Sequence, residues 1–124
     1  MRLSTSTCIY FNRWDGSHIP IIESIRRCAA LGYKVMDIDF CSGVKYDDYE
    51  LKDLNWEKWV EVVEKTANEY GIEFSQSHAP FYNVADPEFA QREYYDEMIR
   101  RSIIASGRLG VKWTTMHAGT ALDE

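Results

Sequence analysis

Cysteine is scarce in this chain. Cys8, Cys28 and Cys41 are odd in number and show no Cys-x-x-Cys spacing, so they read as reduced, mostly structural thiols of a reducing compartment. No stretch approaches the roughly 18–20 apolar residues of a membrane span, and no membrane partner is expected. The opening Met1-Arg2-Leu3-Ser4 lacks the apolar run of a signal peptide, which makes a cytoplasmic location the expectation. Positive charge is also short. Fourteen Lys and Arg stand against 20 Asp and Glu, giving a formal net charge of −6 and a pI near 5.1. Phosphate binding needs a cationic face that displaces counterions, so no nucleic-acid partner is expected. The basic pairs Arg26-Arg27 and Arg100-Arg101 are isolated and read as solvated helix edges.

What is present is a globular composition. Of 124 residues, 45% are hydrophobic and 14% aromatic, far from the disordered regime. A chain of this length makes one domain, 1–124, able to bury a core. No linker or low-complexity segment interrupts it.

A repeat organises the sequence. Gly32, Gly71 and Gly110 are spaced 39 residues apart (71 − 32 and 110 − 71), and seven residues beyond them stand Asp39, His78 and His117. A fixed period of this length signals repeated supersecondary units. Each unit reads as a helix, a glycine stop and a strand. The first helix begins at Pro20 and places Ile22, Ile25, Cys28 and Ala29 on one face. The second follows Asn55, a plausible N-cap, with Trp56, Trp59, Val60, Val63, Ala67 and Tyr70 as its stripe. The third opens on Asp86-Pro87-Glu88 and runs through Tyr95, Ile99, Ile103 and Ser106 to Leu109. The glycines sit where a left-handed cap is expected. Strands are expected over 3–10, 35–40, 72–77 and 111–116, and strands alternating with long helices imply parallel pairing. The class is therefore α/β, with four strands and three helices. The longest loop, 41–54, carries "YDDYE" and reads as a solvated surface loop. Trp56, Trp59 and Trp113 read as core packing.

In parallel α/β architectures the carboxyl ends of the strands converge on the face that carries chemistry. Asp39, His78 and His117 all fall there. Two imidazoles on neighbouring strands, about 4.8 Å apart, can reach one metal ion. They can equally hydrogen-bond a polyol, polarise a carbonyl, or cap their own strands. Asp39 reads as a loop-capping aspartate, and His18 has no matching partner. Phe81 and Trp14, on the loops past the third and first strands, offer aromatic faces to a carbon skeleton. Asn83 suits a turn.

The stretches "AALGYKVMDIDF", "SHAPFYNVADPEFAQREYYDEMIRRSIIASGRLGVK" and "TTMHAG" together resemble the xylose isomerase-like TIM barrels. That family includes sugar isomerases and epimerases and the metal-dependent abasic-site endonucleases. The resemblance implies that His78 and His117 close the third and fourth barrel strands, lining the pocket for a sugar or sugar phosphate or ligating a divalent Mn, Mg, Co or Zn ion. Asp37 falls where many relatives carry Glu facing the barrel interior. A complete barrel has eight βα units over about 250 residues, so the chain resembles the N-terminal half. The family's principal metal ligands and its proton-exchanging carboxylates lie on later strands, so catalytic residues are not assignable and the chain by itself is expected to bind metal weakly or not at all. Half a barrel leaves two strand edges open. The expected cover is a missing C-terminal half or a second copy, whose fourth strand meets the first strand of its mate. Such a homodimer would bury a largely apolar interface of more than about 2,000 Å². The alternatives are a non-catalytic binding or assembly module and a relative of the endonucleases.

Overall fold

A computed structural model describes residues 3–120; residues 1–2 and 121–124 of the expected domain lie outside the described residues. The elements in chain order are β1 (Ser4–Ser6), α1 (Ile21–Ala30), β2 (Val35–Asp39), α2 (Trp56–Tyr70), β3 (Glu73–His78), α3 (Arg92–Arg108) and β4 (Thr114–Thr115). All strand pairs are parallel, and the sheet runs β1-β2-β3-β4 with sequence neighbours adjacent. The four-strand, three-helix α/β expectation holds. So does the repeat: Gly32, Gly71 and Gly110 follow or cap the three helices at φ of 90°, 65° and 71°.

The core lies between the sheet and its helices. Met36, Ile38 and Phe40 alternate along one side of β2 and pack with Phe74, Ile21, Ile25, Val60, Val63, Met98 and Ala105. The intervening Asp37 and Asp39 face the other side, the inner face. Irregularity in β3 completes that partition. Met36 pairs with Phe74, but Asp37 pairs with Gln76, so Ser75 is an extra residue and the ladder carries a β-bulge. Without the bulge, a period of two would place Phe74 and His78 on the same side. With it, Phe74 stays in the core while His78 turns to the inner face and Ser77 to the helices.

Several boundaries differ from expectation. The first strand stops at Ser6, and Thr7–Tyr10 form a 3-10 turn. Hydroxyls replace the ladder there: Ser6 Oγ accepts the Cys8 amide at 3.3 Å, and Thr7 Oγ1 accepts the Asp39 amide at 2.9 Å. The fourth strand shortens to two residues and has no further strand beside it among the described residues. Trp113, expected in the core, is consequently 75% exposed. The third helix starts at Arg92, not at Pro87. Asp86 closes a local turn by accepting the Glu88 amide at 2.9 Å, and Arg92 donates to the Asp86 carbonyl at 2.6 Å, which pins the turn outside the helix.

The buried face of α3 is also different. Ile103 is exposed, and Met98, Ser102, Ala105 and Ser106 face inward. The Ser106 hydroxyl donates to the Ser102 carbonyl at 2.7 Å. Ser77 must then donate to Ser106 Oγ at 2.8 Å, and Thr114 to Ser77 Oγ at 2.9 Å, because each hydroxyl has one proton to give. This one-way chain ties α3 to β3 and β4.

The 41–54 loop is more than a solvated loop. Val44, Tyr49 and Leu51 join the core, and the Tyr49 hydroxyl donates to the Phe40 carbonyl at 2.9 Å. Gly43 is required beneath it, since a Cβ there would collide with the Tyr49 ring. Arg101 fastens the same loop by donating to the Leu51 and Asp53 carbonyls at 2.8 and 2.9 Å. Arg100 and Arg101 together hold the Glu97 carboxyl down to about 2. These arginines are therefore engaged within the fold. Trp56 is buried beneath the Arg101 and Arg108 guanidiniums, and Trp59 meets Phe40 edge-on.

Candidate functional site

Asp39 ends β2, His78 ends β3, and His117 follows β4 by two residues. All three line one cavity of about 260 Å³ at the carboxyl ends of the strands, with Asp37, Phe81, Cys8 and Cys41. The site is built from residues that directly follow or close each strand, as the fold class requires.

Asp37 and His78 form its centre. The bulge brings them together, and His78 Nδ1 lies 2.8 Å from Asp37 Oδ2. Asp37 is 8% exposed, and its Oδ1 has no hydrogen-bond partner among the described residues. Burial pushes the Asp37 carboxyl up from the ordinary range; the His78 ring and the nearby Ser6 hydroxyl act against that rise. With Asp37 ionised, Nδ1 is the proton-bearing nitrogen of a neutral His78 ring. Nε2 is then an acceptor, able to take a hydrogen bond or a proton.

The other residues divide by role. Asp39 accepts the Cys41 amide at 3.0 Å and the Ser42 amide at 3.3 Å, the loop-capping role expected for it. The His117 ring lies against Phe81 with centroids 4.4 Å apart, and the pair makes one wall of the cavity. Trp14 is 94% exposed and is not among the residues lining the cavity. His18 stacks between Phe11 and Tyr46, at 5.1 and 4.4 Å, as a packing residue. Asn83 closes a turn by accepting the Ala85 amide at 3.2 Å. Cys8 and Cys41 were not expected at the cavity. Their signal was positional, since each stands two residues past the inner-facing end of its strand. Burial and the neighbouring Asp39 push the Cys41 thiol up.

The described residues contain no group of three or more His, Cys, Asp or Glu able to hold a metal ion. Two imidazoles fall short of the three or four protein ligands of a zinc site, although the Asp37 contact leaves Nε2 of His78 open. The described residues do not by themselves fit the divalent ion that the resemblance implies. No described helix is long and apolar enough to cross a membrane.

No family model matches the sequence, and no curated protein matches it. Solved structures do match. A D-psicose 3-epimerase, determined in the presence of D-fructose, superposes with a TM-score of 0.59 at 15% identity, over 94% of this chain and 37% of that one. A family 2 AP endonuclease from Brucella melitensis superposes with a TM-score of 0.52 at 14% identity, over 94% of this chain and 40% of that one. The chain thus spans less than half the length of these two structures, and its fold is that of part of a TIM barrel.

Proposed function

We propose that this chain supplies the N-terminal half of a carbohydrate isomerase or epimerase, binding a small sugar or sugar phosphate at the carboxyl ends of its strands. The carrying observation is the Asp37–His78 pair, set in the same cavity as the Phe81–His117 wall. The paired imidazole offers an acceptor to a hydroxyl, and the aromatic wall offers an apolar face to the carbon skeleton. In this reading His78, His117 and Phe81 bind substrate. Trp14, so exposed, reaches it only if a completing half folds against its loop. The groups that move a proton at the carbon beside a carbonyl, and any metal ligands beyond the two histidines, come from that half.

Titration of the chain with D-fructose and D-psicose, followed by NMR, tests this. The His78 and Phe81 ring resonances should shift saturably, and Phe81→Ala should weaken binding at least several-fold. Absence of any shift with either ketose would sink the reading. Binding of an abasic-site duplex in place of the ketoses would move the chain to the endonuclease side.

For this chain by itself the cover we propose is a second copy, which makes a binding assembly without the later-strand carboxylates and is the alternative to a C-terminal half. The outer strands β1 and β4 are flanked by exposed Leu3, Trp113 and Met116, whereas the inner face carries Asp37, Asp39, Gln76 and His78. Edge-to-edge pairing would cover the apolar residues and leave the polar face to line a shared interior. Sedimentation at micromolar concentration should report a dimer that Trp113→Glu disrupts. A monomer over that range would remove the dimer.

A further inference from the structure

We propose that Asn83 and Gly119 form a clasp that sets His117 against Phe81, making both positioning residues for the aromatic wall of the cavity. Beyond Thr115 the sheet no longer holds the chain, because β4 pairs only over Thr114–Thr115. The segment that carries His117 is instead tied across to the loop after β3. Asn83 Oδ1, already accepting the Ala85 amide, also accepts the Thr120 amide at 3.1 Å. One side-chain oxygen thereby serves as the turn of one loop and the anchor of another.

Gly119 makes this approach possible. It has φ of 81°, where L side chains are strained. A Cβ at that position would also collide with Asn83 Oδ1 and come within 2.9 Å of the Val84 amide nitrogen. Two independent features, a conformation and a close contact, therefore require the same residue. His117 lies two residues before Gly119, and among the described residues its ring contact is Phe81 at 4.4 Å. The clasp fixes one end of a four-residue tether and Ala79, donating to the Thr115 carbonyl at 3.1 Å, fixes the other.

The use of the wall rests on the carbohydrate reading above, but the clasp does not, and the test separates them. Proton–carbon NMR of the histidine rings reports the ring current of Phe81 on His117. Asn83→Ala and Gly119→Ala should each move the His117 resonances to the positions found in Phe81→Ala. Asn83→Asp, which keeps the accepting oxygen, should leave them in place. Unchanged Ile25 and Ile38 methyl resonances would show that each variant is folded, and the Gly119 and Asp variants stand if one substitution fails to fold. In D-fructose titrations, Asn83→Ala should weaken binding several-fold while Asn83→Asp retains it. His117 resonances that stay put in both Asn83→Ala and Gly119→Ala overturn the clasp. If they move as expected while even the unaltered chain fails to bind either ketose, the clasp stands and the carbohydrate reading falls.

Discussion

Phe40→Ala should cost about 3–5 kcal/mol of folding stability, the largest loss expected from a single substitution here. Phe40 has no exposed surface, sits at the end of the apolar side of β2, and meets Trp59 edge-on with ring centroids 6.4 Å apart. Removing the ring leaves a cavity bordered by Trp59 and the 41–54 loop. The loop cannot collapse far to fill it, because Tyr49 remains bonded to the Phe40 carbonyl. A domain of this kind holds only about 5–15 kcal/mol in total. With a urea slope of about 1–3 kcal/mol per molar, the unfolding midpoint should fall by roughly 2 M. A loss below about 1 kcal/mol would mean that the ring does not occupy the core.

His78→Ala should make stability depend on pH through Asp37. Burial already raises the Asp37 carboxyl above its ordinary value of 3.8, and His78 is the stronger of the two groups that oppose the rise. A carboxyl whose proton affinity is higher folded than unfolded stabilises the fold below its unfolded value. That contribution is lost as pH rises through the folded value. Removing His78 pushes the folded value further up, so the variant should lose stability as pH rises from the ordinary carboxylate range through that raised value. Because the pair is partly open to solvent, the loss at neutral pH should be about 1–3 kcal/mol. Adding Asp37→Asn to the same background isolates the carboxylate. The double variant should be the more stable of the two at neutral pH, and the gap should close as pH falls. Equal urea midpoints for the single and double variants across this range would refute the buried-charge account.

Much of the fold was legible because the repeat is local. Glycines at a 39-residue spacing marked three helix ends, and all three adopt positive φ. The inward position of Asp37 followed from the family resemblance, and it lines the cavity. What stayed hidden depended on tertiary partners. Trp113 has the composition of a core residue, but its burial requires a neighbour on the far side of β4. The Asp86-Pro87-Glu88 start signal is sound locally and loses to Arg92, which bonds the turn from outside. Ile103 and Ser106 were both expected on the stripe, yet only Ser106 is buried, because the inward face runs through Met98, Ser102 and Ala105. At the site, the placement of His78 and His117 at one mouth followed from their matched positions. The Asp37–His78 contact did not, because it depends on the extra residue in β3.

That extra residue means the strand is written in two frames. Residues up to Phe74 follow the phase of the core, and residues from Gln76 onward follow the phase of the cavity, with Ser75 as the junction. A strand in a single frame couples its two halves, since any slip that re-aims one end re-aims the other. Here the junction absorbs the slip. The downstream frame can present different side chains to the cavity while the upstream frame keeps Phe74 against Met36, so new chemistry at the mouth need not be bought with stability in the core.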